Sequence, residues 1–240
     1  MSYLKQVVAT FFMIAFLGTS VGGDWPQWRG VARDGASTDK DLLKKWPAGG
    51  PKLAWTFEKT GLGYSGPAVV GDNLYILGAN DTKNGDEEFA LAINAKTGKE
   101  IWRQKFSTFY ANGWGGGPRS TPTVDGDKLY VLGGKADLAC LETKSGKIVW
   151  QKNLLKDFEG RQQKIWGYSE SPLVDGDLVI CVPGGGKGSI LALKKSTGEQ
   201  VWRSSDITDD AAYSSLVPAE IAGVKQYITL TSNGAVSVDA

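Results

Sequence analysis

The 240-residue sequence contains no histidine and only two cysteines. The missing histidine removes the usual general base at neutral pH, the commonest metal ligand in proteins and any c-type haem attachment motif. Its 27 basic and 26 acidic residues leave a net charge of +1 and are spread along the chain. We therefore expect no nucleic-acid partner, because such partners require a basic stripe or patch.

The two cysteines, Cys140 and Cys181, each lie within a short apolar run. This setting favours two buried, small apolar side chains. A disulfide or a reactive thiol is the alternative interpretation.

Residues 1–23 are typical of a secretory signal peptide. Lys5 supplies a positive charge, residues 7–17 form an apolar run, and small residues follow. The run is short for a membrane-spanning helix, so we expect cleavage and no transmembrane span. The protein is predicted to be periplasmic or secreted, and soluble once the signal peptide is removed. Since no cysteine lies near the cleavage point, a lipid anchor is not expected there.

Residues 24–50 are interpreted as an N-terminal, Trp-rich strap. Trp25 and Trp28 flank Pro26 and Gln27, and Trp46 is followed by Pro47. Because tryptophan is usually well buried, we interpret this segment as an extended strap packed on a body rather than as a ligand site.

A turn around a glycine, followed by a short strand ending on tryptophan, occurs three times, at residues 96–102, 144–150 and 196–202. With Trp55 included, the closing tryptophans are separated by 47, 48 and 52 residues (55 to 102, 102 to 150 and 150 to 202). A period in this range indicates a repeat architecture.

Each repeat contains four predicted strands separated by Gly, Asp and Asn turns. The apolar runs do not alternate with polar residues, which indicates sheets covered on both faces. Pro67, Pro122 and Pro172 are predicted to start the first strands, where the missing N–H is tolerated. Residues 51–240 are therefore predicted to form an all-β, partial β-propeller of about four four-stranded antiparallel blades. We interpret four tryptophans as structural residues that fill the space between blades: Trp55, Trp102, Trp150 and Trp202.

On these motifs the sequence resembles the pyrroloquinoline-quinone-like (PQQ-like) β-propeller repeat family. Residues 92–102 match its pattern Ala-x-Asp-x-x-Thr-Gly-x-x-x-Trp, with Asn94 in place of the aspartate. The second and third copies have Glu142 and Lys194 at that position. The Trp-Pro-Gln-Trp-Arg-Gly stretch at residues 25–30 also resembles the start of exported members.

Residues 211–240 begin a fourth unit, and the sequence stops before its closing strand and tryptophan. The resemblance implies a propeller that closes with about eight blades. We therefore expect the sequence to be a fragment of a longer chain that is a monomer at full length.

The links from one blade's last strand to the next blade's first strand are predicted to lie on one face, where function concentrates. The candidate ligand or partner face comprises Tyr64, Tyr110, Trp114, Arg119, Trp166, Tyr168, Glu170 and Tyr213. Arg119 and Glu170 could form a polar pair near the channel, or remain a solvated pair of little net energy. The acidic run at residues 86–88 is interpreted as surface residues of a hairpin.

Two functions are compatible with the resemblance. The first is an exported, non-catalytic propeller that binds a protein, peptide or glycan in the cell envelope. It is similar in repeat pattern to the propeller subunit of the outer-membrane β-barrel assembly machinery, and it needs no catalytic residue, metal or cofactor. The second is a quinoprotein dehydrogenase that oxidises an alcohol or sugar with PQQ and calcium. The sequence favours the first, because Cys140 and Cys181 are not adjacent and no Glu, Asn and Asp set matches the enzyme's metal and base positions.

Overall fold

The structure is a computed structural model that describes residues 23–163 and 166–240. The predicted signal peptide lies outside the described residues, except for Gly23. The described residues form fifteen strands and no helix, and the strands make four antiparallel sheets.

The sheets follow one another along the chain, and each is a simple up-and-down meander. Blade 1 contains β1 (Ala68–Val70), β2 (Asn73–Asn80), β3 (Glu87–Asn94) and β4 (Glu100–Ser107). Blade 2 contains β5 (Thr123–Asp125), β6 (Lys128–Leu132), β7 (Asp137–Glu142) and β8 (Ile148–Asn153). Blade 3 contains β9 (Leu173–Asp175), β10 (Leu178–Cys181), β11 (Leu191–Lys194) and β12 (Gln200–Arg203). Blade 4 has three strands, β13 (Val217–Ile221), β14 (Val224–Leu230) and β15 (Ala235–Asp239).

The first strands of neighbouring blades lie side by side, since β1 contacts β5 and β5 contacts β9. These inner strands are short, and in blades 1 to 3 each begins one residue after the proline that is predicted to start it. The middle strands are covered on both faces, so that Leu91, Leu138 and Leu191 are fully buried. The predicted all-β, partial propeller is confirmed.

The third and fourth strands of blades 1 to 3 share one irregularity. The residue opposite each closing tryptophan is followed by a register shift, which is a β-bulge. The pairs are Ala92 with Trp102, Cys140 with Trp150 and Ala192 with Trp202. The repeat motif therefore encodes the same local twist three times.

Three of the four closing tryptophans contact the turn of the following blade. The indole Nε1 donates a hydrogen bond to a turn carbonyl at 2.8 to 2.9 Å in three cases: Trp55 to Ala95, Trp102 to Thr143 and Trp150 to Lys195. Each indole also packs on the turn glycine, and these are Gly98, Gly146 and Gly198, all with positive φ. Trp202 stacks on Tyr227 of blade 4 with ring centroids 6.2 Å apart. Both hydrogen bonding and ring packing thus join consecutive blades.

The three Thr/Ser-Gly turns differ in the side-chain hydrogen bonds made by the residue that replaces the family's aspartate. The Asn94 Oδ1 accepts hydrogen bonds from the backbone N–H and the hydroxyl of Thr97, and the Glu142 carboxylate accepts one from the hydroxyl of Ser145. Lys194 has no side-chain acceptor, and there the Thr197 hydroxyl donates to Glu199 instead. The backbone turn is kept in all three copies.

The beginning of the strap crosses the inner strands. Trp25 exchanges backbone hydrogen bonds with Val69 of β1, and the Pro26 carbonyl accepts one from Val124 of β5. Trp46, further along, has 64% of its surface exposed. Only the first part of the strap therefore packs closely on the blades.

Both cysteines are free, buried thiols, which agrees with the apolar interpretation. Burial raises the pKa of Cys140 to about 11 and that of Cys181 well above its ordinary value.

Candidate functional site

Four consecutive links between blades bring aromatic side chains to one groove. Tyr64 precedes blade 1, Trp114 lies between blades 1 and 2, Trp166 between blades 2 and 3, and Tyr213 between blades 3 and 4. With Arg119 and Ser169, these four residues line an open cavity of about 420 Å³, which we call the aromatic groove. The blades hold the bases of the links, so that four loops distant in sequence share one surface.

Direct contacts join the loops in pairs. The hydroxyl of Tyr64 donates a hydrogen bond to the carbonyl of Trp114 at 3.0 Å. The rings of Trp166 and Tyr213 lie 5.1 Å apart at an angle of 51°, a tilted aromatic pair. The groove is therefore partly preorganised.

Arg119 lies between the aromatic side chains, on the floor of the groove. Its guanidinium carbon is 4.7 Å from the ring centroid of Tyr110 and 5.7 Å from that of Tyr64. The guanidinium donates to the carbonyls of Gly117 at 2.5 Å and Gly115 at 2.7 Å. These bonds use two of its five N–H donors, so that the remaining ones can meet a ligand.

The aromatic groove exposes large side chains to an unusual extent. Trp114 is 83% exposed, Tyr64 60% and Trp166 43%. Aromatic residues and arginine are the residue types that dominate binding energy at protein interfaces. Three large aromatic side chains are thus exposed together in one groove.

The structure places two residues of the predicted face below the surface. Tyr168 is 1% exposed, and its hydroxyl donates to the carbonyl of Pro183 at 2.7 Å. Glu170 is 2% exposed, and its Oε1 accepts from the N–H of Val182 at 2.6 Å. Both side chains are bonded to residues that follow β10 of blade 3 and are buried there, so that neither can touch a partner directly.

Arg119 and Glu170, which the sequence leaves open as a polar pair, do not form one. Within residues 23–163 and 166–240, no ion pair of 4.0 Å or less joins them. Glu170 is instead influenced by the positive charge of Arg33, while burial raises its pKa to about 8. Arg119 is held by loop carbonyls of its own link.

Arg33, which the sequence does not single out, is a candidate for a residue that positions the site. This strap residue is 1% exposed, and it donates to the carbonyls of Leu216, Ser171 and Pro172 at 2.5 to 3.2 Å. Burial lowers its pKa to about 10, and the Glu170 charge partly opposes this shift. Arg33 thus ties the strap to the starts of the inner strands of blades 3 and 4.

Glu88 is the second residue missed, since the acidic run was interpreted as surface residues of a hairpin. Glu88 is fully buried, and its carboxylate accepts from the N–H of Tyr110 at 3.2 Å and of Gly134 at 2.9 Å. Burial raises its pKa to about 7, against these two hydrogen bonds and the Arg119 charge. Glu88 therefore supports the link that carries Trp114.

The groove continues into a second cavity of about 540 Å³ beside blade 4. The two cavities share Arg119, Ser169 and Tyr213, and Trp28 of the strap lines the second one. A ligand in the groove could thus extend toward the strap.

A calcium-bound quinone would require a set of acidic ligands. Residues 23–163 and 166–240 contain no group of three or more His, Cys, Asp or Glu side chains placed to hold a metal ion. The one carboxylate of the predicted face, Glu170, is buried and bonded to Val182. Among the described residues no such ligand set is present, and we derive no reaction step through a calcium-bound quinone.

Over the same described residues, no helix is long and apolar enough to span a membrane.

Comparison with known proteins gives relatives of two kinds. A quinohemoprotein alcohol dehydrogenase of Comamonas testosteroni is 27% identical over 197 residues, which cover 77% of this chain and 26% of that protein. The outer membrane protein assembly factor BamB of Burkholderia pseudomallei (strain K96243) is 31% identical over 138 residues, 57% of this chain and 28% of that protein. The chain spans about a quarter of the length of these curated relatives.

A solved structure shows the same fold. The crystal structure of the quinohemoprotein alcohol dehydrogenase from Comamonas testosteroni matches 75% of this chain and 27% of its own, with a TM-score of 0.53 and 23% identity. The PQQ_2 family model, described as outer membrane protein assembly factor BamB, matches residues 85–240. The chain therefore belongs to this family of PQQ-like β-propellers.

Proposed function

We propose that this chain is a non-catalytic binding propeller of the cell envelope, and that its aromatic groove takes a segment of another protein. The family supports a binding role, since one relative is named as an outer membrane protein assembly factor. The predicted signal peptide supports a periplasmic or secreted location.

The observation that carries the proposal is the convergence of four links on one exposed groove. Each link contributes one aromatic side chain, and Arg119 lies among them. Such a group of aromatic and arginine side chains on a rigid scaffold has the composition of an interface hot spot. A catalytic centre would instead require reactive or titratable groups converging in the groove.

The groove chemistry also indicates the kind of segment. Its six lining residues include one cation and no carboxylate. Aromatic walls favour apolar or aromatic side chains, and the unused guanidinium donors favour a carboxylate or a carbonyl. We therefore propose a peptide segment that carries an aromatic residue and an acidic residue, in preference to a neutral glycan.

The alternative is a PQQ- and calcium-dependent dehydrogenase that acts on an alcohol or sugar. It is favoured by the similarity to the quinohemoprotein alcohol dehydrogenase over 197 residues. When bound, the quinone would accept the electrons removed from the substrate. Binding remains the preferred proposal because the described residues offer no metal-ligand set.

Selection from a phage-displayed library of random peptides on the purified chain tests the proposal. The selected peptides should carry an aromatic residue next to an acidic one, and their Kd should rise about tenfold in Trp114→Ala. Trp46→Ala is the matched control, because this tryptophan is 64% exposed outside the groove.

Two results would overturn the proposal. If the peptides bind Trp114→Ala with the same Kd as the parent chain, the binding site lies outside the groove. Retention of one equivalent of PQQ in the presence of calcium, measured by the absorbance of the quinone, would favour the dehydrogenase.

A further inference from the structure

A third cavity, of about 650 Å³, lies between blades 1 and 2 and is separate from the aromatic groove and from the cavity beside blade 4. It is bounded by the end of β4, the end of β8 and the turn between β6 and β7. We call it the interblade cavity and define it by Lys105, Ser107, Lys135, Asp137, Lys156 and Gln162. Its volume is in the range of small-molecule sites.

Three ammonium groups surround the interblade cavity. Lys105, Lys135 and Lys156 come from different segments, and all three are exposed. Across the part of the chain that the structure describes, no carboxylate lies within 4.0 Å of any of them. Lys105 donates to the Asp86 carbonyl at 3.3 Å, and Lys135 donates to the Thr108 hydroxyl at 3.0 Å. Both acceptors are neutral, so that the positive charge is left uncompensated.

The one carboxylate of the cavity is already engaged. Asp137 accepts hydrogen bonds from the Ser107 hydroxyl at 2.6 Å and from the Asn153 amide at 2.9 Å. These bonds hold it in the cavity wall and away from the lysines. An anion is therefore the ligand that the charges of this cavity favour.

An unsatisfied acceptor adds a second requirement. The Oε1 atom of Gln162 is buried and has no hydrogen-bond partner among the described residues. A buried acceptor without a partner costs free energy, and a ligand O–H or N–H would remove that cost. The ligand should thus combine anionic groups with hydrogen-bond donors.

We propose that the interblade cavity binds a small polyhydroxylated acid, of which an oligouronate is the simplest example. Its carboxylates would pair with the three lysine ammonium groups. Its hydroxyls would donate to Gln162 Oε1 and to the free lone pairs of Asp137. The partly exposed apolar atoms of Leu155 would cover one side of a sugar ring. This proposal does not depend on the aromatic groove.

The strand pattern disfavours an extended peptide in this place. A peptide binds a sheet by pairing with a free strand edge. The cavity lies at the ends of β4 and β8, where Ser107 and Asn153 are the last residues of their strands, so that little free strand edge faces it. A compact ligand is a better fit to that position.

Calorimetric titration of the full chain with trigalacturonic acid tests the proposal, with maltotriose as the neutral probe. Trigalacturonic acid should bind one equivalent, and maltotriose should bind at least tenfold more weakly. Each of Lys105→Gln, Lys135→Gln and Lys156→Gln should raise the Kd about threefold, and the triple variant about thirtyfold. Lys144→Gln, on the turn between β7 and β8, is the matched control and should leave the Kd unchanged.

A hexaglutamate peptide separates charge from sugar chemistry. Tighter binding of hexaglutamate than of trigalacturonic acid, lost in the triple variant, would overturn the assignment in favour of an acidic peptide. Equal binding of maltotriose, or an unchanged Kd in the triple variant, would also overturn it. Because every variant replaces an exposed lysine, the folded state can be checked by its thermal midpoint. The lysine substitutions should leave the Kd of the phage-selected peptides unchanged. The proposal for this cavity and the proposal for the aromatic groove can therefore be refuted independently.

Discussion

The indole of Trp102 packs on Gly146 so closely that a Cβ at the glycine would lie 2.6 Å from the Cε3 atom of the ring. Gly146 also has a φ of 72°, which a side chain disfavours. Trp102 of β4, the last strand of blade 1, therefore requires a glycine in the turn of blade 2, and the equivalent contacts recur at Gly98 and Gly198.

Gly146→Ala should lower the free energy of unfolding by about 3 kcal/mol, the sum of left-handed strain and overpacking against the indole. Gly126→Ala is the matched control, because Gly126 has a φ of 57° and a Cβ added there would meet no heavy atom within 4 Å. It should cost about 1 kcal/mol, the strain alone. Urea denaturation of both variants measures the difference, and equal losses would contradict the packing explanation.

Arg33→Met should destabilise the chain by about 3 kcal/mol, because three buried carbonyls lose their hydrogen-bond donor. Arg29→Met, four residues earlier and exposed, should cost less than about 1 kcal/mol. Limited proteolysis should also cut the strap faster in the first variant than in the second. A strap equally resistant in both would show that Arg33 does not anchor it.

Glu88 should make stability fall as pH rises. The folded state keeps this carboxyl protonated up to about pH 7, whereas the unfolded chain releases the proton near 4.5. The folded state thus binds more protons between these values, and the free energy of unfolding decreases across that window by about 3 kcal/mol. Glu170, whose pKa is about 8, acts in the same direction over a wider window.

Glu88→Gln should remove this share of the slope, measured by urea denaturation from pH 5 to pH 8. The exposed Glu220 supplies the control variant, Glu220→Gln, which should retain the parent slope. An unchanged slope in Glu88→Gln would mean that the buried carboxyl does not titrate in this range.

The two thiols should resist alkylation in the folded chain. Cys140 and Cys181 are fully buried, and burial raises the pKa of both. Iodoacetamide at pH 8 should label neither thiol until urea unfolds the chain, as read by intact mass. Rapid labelling of one thiol in the native state would refute this expectation.

The repeat motif was sufficient to predict the blades, because each feature it encodes is local. Pro67 precedes a strand, the glycine of each Thr/Ser-Gly turn has positive φ, and the closing tryptophan follows four residues later. Comparing three copies separated what the fold requires from what varies. The fold therefore followed from sequence alone.

The supports of the site depend on contacts between distant segments. Arg33 meets the carbonyl of Leu216 across 183 residues, and no local pattern encodes that meeting. Glu88 lies in a strand buried on both faces, so that side-chain alternation could not reveal its burial. Glu88 lies four residues before the residue that pairs with Trp102. The same position in the next two repeats is occupied by Ala136 and Gly188, so that comparing the repeats could not reveal a buried carboxylate there.

The groove itself was partly predictable. Aromatic residues in successive links indicated one face, and Tyr64, Trp114, Trp166 and Tyr213 do line one cavity. Tyr168 and Glu170 belong to the same links but are buried, whereas Ser169 between them lines the groove. Direction along a link is decided by packing, which the sequence of the link does not specify.

Hydrogen–deuterium exchange of the chain with a selected peptide bound tests whether the aromatic groove is the binding site. We expect slower exchange in the links that carry Tyr64, Trp114 and Tyr213, and no such protection in Trp114→Ala. Protection confined to the outer strands β4, β8 and β12 would contradict it.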